Sequence, residues 1–166
     1  MVSHDPAPGG DLVTLEMLLA EHAAIGSSTP LALNVKACGL AVPTAKRLAE
    51  QGTVGAFVFD LAVPDALGWL AAGIDVFTRH SDVEPDPVLY ERCAGVWLDS
   101  FGPEWWTPEV IAHHIEAGKQ VAIVSPELHG RPYLAVWESL ASSGVHQAPG
   151  VFLCTDYPLA AQEWFA

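Results

Sequence analysis

The stretch GVWLDSF (residues 95–101), followed by Thr107-Pro108-Glu109 and then by QVAIVSP (residues 120–126), decides the fold. An apolar run of strand length ends in a carboxylate, Asp99. The Thr-Pro-Glu triplet then supplies a capping hydroxyl, a proline at the first helical position and an acid at the positive helix end. Gly118 closes that helix about three turns later, and a second apolar run begins at once. Strand, helix and strand in this order predict a βαβ unit, whose strands must be parallel.

The same grammar repeats on either side. LALNVK (31–36), GAFVFD (55–60), DVFTRH (75–80) and GVFLCTD (150–156) are further short runs rich in Val, Phe, Ile and Leu. Such near-continuous apolarity suits strands covered on both faces. Helices are expected over TLEMLLAEHAA, from about Pro43 to Gly52, from Pro64 to Gly73, from Asp86-Pro87 to near Gly95, and over RPYLAVWESLASS. No linker, low-complexity tract or charge block divides the chain, so residues 1–166 read as a single domain.

Six strands with crossover helices fit a doubly wound sheet or most of a (β/α)8 TIM-barrel-like fold. No GxGxxG or GxxxxGK loop follows any run, which removes the usual sign of a nucleotide-binding sheet. The runs end instead in Lys36, Asp60, Arg79, Asp99, Ser125 and Asp156. A barrel would gather these strand ends around its active-site mouth. A whole barrel takes about 250 residues and eight strands. The barrel expected here is therefore incomplete, with about six βα units and the first two strands encoded upstream of Met1. Its open sheet edges predict a homo-oligomer.

The chain is 51% hydrophobic and 16% charged over 166 residues, a balance that builds a core. Seven Lys plus Arg against twenty Asp plus Glu give a net charge of −13. This argues against nucleic acid and anionic membranes as partners, since phosphate binding needs a basic stripe. No run approaches the roughly 20 apolar residues of a membrane span. No signal peptide is recognisable either, so a cytoplasmic location is expected. Cys38, Cys93 and Cys154 are far apart and form no CxxC pair, so neither a disulfide framework nor a zinc site is expected.

Few cations make their positions informative. Lys36 shares strand parity with Asn34 and Ala32, opposite Leu31, Leu33 and Val35, so Lys36 and Asn34 are expected to face a barrel interior. A lysine there would act on substrate or form an ion pair with Asp60. Arg79, at the end of its run, has a guanidinium able to grip phosphate or carboxylate, or to pair with Asp99. Asp60, Asp99 and Asp156 could offer oxygen ligands to Mg or Ca. VSPELHGRP (124–132) packs Ser125, Glu127, His129 and Arg131 into a strand-to-helix loop. There Glu127 and His129 are candidates for proton transfer or ligand binding. Trp97, Trp105 and Trp106 lie where they could stack on a substrate. His113 and His114 read as surface or packing residues, and His22, His80 and His146 carry no special role. His4, beside Asp5, is a candidate general acid or base.

Val2 to Asp5, then Asn34 to Lys36, then Thr155 to Pro158 resemble, in order, the V-V-x-H-D, E-I-K and T-D-x-P motifs of the glycerophosphodiester phosphodiesterase family and the wider phospholipase-C-like barrels. The resemblance implies metal-assisted hydrolysis of a small phosphodiester. Two histidines would act as acid and base, carboxylates would hold one divalent cation, Mg or Ca, and a lysine would neutralise the phosphoryl oxygens. It implies catalytic roles for His4 and Lys36 and a metal contact for Asn34; Asp60, expected as a further metal contact, and Arg79, Asp99, Glu127 and His129, expected to line the substrate pocket, are not the family's standard pattern and suggest a divergent branch with a pocket of its own. Asn34 stands where the family has a carboxylate, and the family's H-R-G and E-x-D motifs belong to the two strands expected upstream. Two alternatives come from the residues themselves. One is Schiff-base lyase chemistry at Lys36, and the other is a barrel that binds a ligand without catalysis.

Overall fold

A computed structural model describes Val2, residues 12–26 and residues 29–166. The chain is an α/β protein in which six parallel strands alternate with helices. It divides into two compact units, Met1–Val76 and Phe77–Ala166, with the division falling inside one strand.

In the first unit, helix α1 (Leu15–Ile25) begins at Thr14, whose hydroxyl oxygen accepts the Met17 N–H at 3.3 Å. Strand β1 (Ala32–Asn34), helix α2 (Ala41–Glu50), strand β2 (Phe57–Phe59) and helix α3 (Val63–Ala71) follow, and strand β3 (Asp75–His80) begins. β1 pairs with β2, Ala32 opposite Phe57, and β2 pairs with the start of β3. Phe57, Val58 and Phe59 are all buried, as expected of a strand covered on both faces. Asp65 joins two elements: its carboxylate accepts the Gly39 N–H at 2.9 Å and the Trp69 indole N–H at 3.0 Å. That fixes the β1–α2 loop against α3 and satisfies the fully buried Trp69.

In the second unit, β3 is followed by strand β4 (Gly95–Leu98), helix α4 (Pro108–Glu116), strand β5 (Gln120–Val124), helix α5 (Leu134–Ser143), strand β6 (Val151–Cys154) and helix α6 (Pro158–Trp164). The strands pair in sequence order, Val96 opposite Val121 and Ile123 opposite Leu153. Val96, Leu98, Val121 and Ile123 bury themselves against Ile111 of α4, Leu140 of α5 and Trp106. The βαβ unit read from residues 95–126 is therefore present, with Pro108 in the first turn of α4. Thr107 occupies the cap position, but its hydroxyl donates to the Glu109 carboxylate and caps no backbone N–H.

The helix expected from Asp86-Pro87 to near Gly95 does not form. Only a 3₁₀ turn, Tyr90–Arg92, occurs there, preceded by Leu89 at φ 59°. Pro85 and Pro87 remove donors, and a left-handed residue cannot propagate a right-handed helix.

Gly95 is fixed by packing. A Cβ at that position would lie 2.6 Å from the ring of Phe77, itself buried on the neighbouring strand. Gly95→Ala is expected to lower stability by about 1–3 kcal/mol through overpacking. Thermal melts of the two proteins check this.

Candidate active site

The strand ends of the second unit hold a connected polar cluster. Immediately after β4, Asp99 and Ser100 are buried although they have left the sheet. Asp99 Oδ1 accepts the Ser100 N–H at 2.8 Å and lies 2.8 Å from His129 Nε2. With its N–H on Nε2, His129 keeps Nδ1 as a lone-pair acceptor, and no partner to Nδ1 occurs among the described residues. The His129 ring packs 5.4 Å from that of Phe101, and the Arg79 guanidinium lies 5.4 Å over the same Phe101 ring. Arg79 Nη1 also pairs with Glu84 at 3.1 Å. Imidazole, carboxylate and guanidinium thus meet around one aromatic side chain at the β4 end.

The surrounding loops hold this geometry. Trp105 donates its indole N–H to the Asp99 carbonyl at 2.7 Å. Arg131 donates to the Ser100 carbonyl at 2.6 Å and to Glu104 at 3.0 Å. The Asp82 carboxylate accepts the N–H groups of Phe101 and Gly102 at 2.8 and 2.9 Å, and these bonds lower its pKa. Glu127 accepts hydroxyl donors from Ser125 and Thr155 and the Asp156 N–H at 3.3 Å. Its carboxylate therefore ties the ends of β5 and β6 together. Trp97 and Trp106 are buried packing residues, and Trp105 alone of the three is half-exposed while holding a strand-end carbonyl.

In the first unit, Lys36 lies past the end of β1 with its side chain 48% exposed, and its ammonium is 3.8 Å from Asp60 Oδ2. The expected parity holds, with Ala32, Asn34 and Lys36 exposed and Leu31, Leu33 and Val35 half-buried. Of the two roles expected for Lys36, the ion pair with Asp60 is formed. Asn34 donates its amide N–H to the same Asp60 oxygen at 3.1 Å. That arrangement turns the amide nitrogen toward the carboxylate that was to share a cation. Among the described residues no group of three or more His, Cys, Asp or Glu is placed to hold a metal ion. His4 lies outside the described residues.

One group was missed in the sequence. His114, 3% exposed, lies 2.9 Å from His80 Nδ1 through its Nε2 and 2.8 Å from the Tyr90 hydroxyl through its Nδ1. Ile111 and His114 are three apart on α4, and this spacing places the histidine on the buried stripe.

Comparison of the chain with protein-family models, with curated proteins and with solved structures gives no match. Among the described residues no helix is long and apolar enough to cross a membrane.

Burial, followed by the nearby His80 and His113, lowers the His114 pKa from 6.5 to about 4. The folded state then binds fewer protons than the unfolded chain between those values. This contribution to stability is complete above about pH 6.5 and is lost as pH falls toward 4. The melting temperature is expected to drop between pH 7 and pH 5, and the slope to flatten in His114→Gln. Melts across that range measure both.

Proposed function

We propose that the chain belongs to a (β/α)-barrel phosphodiester hydrolase of the glycerophosphodiester phosphodiesterase type. The observation that carries the reading is the His129–Asp99 pair at the end of β4, 2.8 Å apart on a carboxylate only 6% exposed. A buried carboxylate fixes the orientation and tautomer of an imidazole, which is what a general acid or base requires. In this reading His129 Nδ1 takes the proton of the attacking hydroxyl or water and returns it to the departing alkoxide. Arg79, stacked on Phe101 beside the imidazole, supplies positive charge for the phosphoryl oxygens. No step is assigned to a metal. The order of the motifs around His4, Lys36 and Thr155-Asp156 supports the same class.

Schiff-base chemistry at Lys36 gains no support, because a nucleophilic lysine needs a desolvated pocket and Lys36 is exposed beside Asp60. Binding without catalysis is favoured by one observation: Asn34, Lys36 and Asp60 satisfy one another, and Glu127 is fully engaged.

The test is hydrolysis of a phosphodiester panel, including bis(p-nitrophenyl) phosphate and glycerophosphodiesters, with and without added Mg or Ca. His129→Ala and Asp99→Asn are expected to lower kcat/KM about 10²–10⁴-fold with the fold intact. Turnover unaffected by either substitution overturns the assignment of the pair. Binding of the diesters without turnover favours the non-catalytic reading.

A further inference from the structure

His80 ends β3 on the same rim as Asp99, whose N–H donates to the His80 carbonyl at 3.0 Å. The His80 ring packs 4.5 Å from that of Trp105, the residue that holds the Asp99 carbonyl. Behind it runs a line of three groups: His80 Nδ1 to His114 Nε2 at 2.9 Å, then His114 Nδ1 to the Tyr90 hydroxyl at 2.8 Å. The innermost member, His114, is buried.

Hydrogen counting restricts this line. Only one hydrogen fits between the two facing ring nitrogens, so the rings can share one additional proton but cannot both be cationic in this geometry. The Pro85 carbonyl and the Asp86 carboxylate act on His80 to favour its charged ring. No such group acts on His114, which burial and the neighbouring His80 and His113 keep neutral. Burial, with the Glu91 carboxylate adding to it, raises the Tyr90 pKa, and the Lys119 ammonium lies 5.0 Å over the Tyr90 ring while donating to the Cys93 carbonyl at 2.8 Å.

We propose that Tyr90, His114 and His80 form a reversible proton wire whose polarity is set by the charge on His80. In the neutral state the Tyr90 hydroxyl donates to His114 Nδ1, and His114 Nε2–H donates to His80 Nδ1. When His80 charges, the hydrogen on His114 Nε2 passes to His80 Nδ1, the Tyr90 hydroxyl hydrogen passes to His114 Nδ1, and the Tyr90 oxygen takes the incoming proton from solvent; His80 Nδ1–H then donates to His114 Nε2, and His114 Nδ1–H to the Tyr90 oxygen. One proton is gained, at the Tyr90 end of the line, no covalent bond to carbon changes, and the His114 tautomer reports the state of His80. The inference does not depend on the hydrolase reading.

The experiment is ¹⁵N NMR of the ring nitrogens in the full chain between pH 8 and pH 4.5. Burial holds the His80 pKa below its usual 6.5, so the change falls in the lower part of that range. As His80 charges, the hydrogen of His114 is expected to move from Nε2 to Nδ1 in step. In His80→Phe, His114 is expected to keep one tautomer throughout. A His114 tautomer that stays fixed while wild-type His80 titrates overturns the wire, as does a switch that persists in His80→Phe. The wild-type titration decides the question even without a variant.

Discussion

The structure of the second unit turns on a backbone that leaves the sheet before it leaves the core. After the Asp99 N–H, which still reaches the His80 carbonyl, residues 100–102 have lost ladder partners at the end of β4, yet Asp99 and Ser100 remain buried, and buried backbone groups must be paired. Side chains provide the pairing: Asp99 for the Ser100 N–H, Asp82 for the next two N–H groups, Trp105 for the Asp99 carbonyl and Arg131 for the Ser100 carbonyl. Each partner comes from a different place in the chain. The polar rim is thus first a solution to a hydrogen-bonding problem, and the His129–Asp99 pair sits on the same oxygen that solves part of it.

The first unit meets the same requirement with fewer groups. β1 and β2 are three residues each, and Asp60 follows β2 at φ 63°, a left-handed conformation that aspartate tolerates better than most residues. Its carboxylate collects Asn34 and Lys36, so charge is balanced locally in a chain with a large acidic excess. Arg47 acts similarly, pairing with Glu16 of α1 at 2.7 Å and with Glu50 of its own helix at 2.8 Å. These exposed pairs are screened by solvent and contribute little stability. They show where the few cations of the chain are placed.

Strand and helix order was legible because parallel strands buried on both faces must be apolar throughout, and because Pro and Gly mark helix ends. Residues 95–126 carry all of these signs. The segment 86–94 was misread because a proline after an acid resembles a helix start, while the left-handed Leu89 leaves no trace in its own side chain. At the site, proximity in sequence placed Glu127, His129 and Arg131 in one loop. It could not show that Asp99 takes His129 while Glu104 takes Arg131, since both pairings close only when β4 and β5 lie side by side. Adjacent histidines on a helix read as surface or packing residues, and the three-residue spacing from Ile111 decides for packing at His114.

The three thiols are graded by the same packing. Cys93 is buried, and burial raises its pKa. Cys154 at the end of β6 is pushed up to about 11 by burial, with Asp156, Glu127 and Asp99 adding to the effect. A thiol that does not ionise is a poor nucleophile, whereas Cys38 is exposed in the loop between β1 and α2. In the native protein a maleimide dye therefore attaches beside Lys36, and the rim of the second unit can be probed with its own cysteines left unmodified.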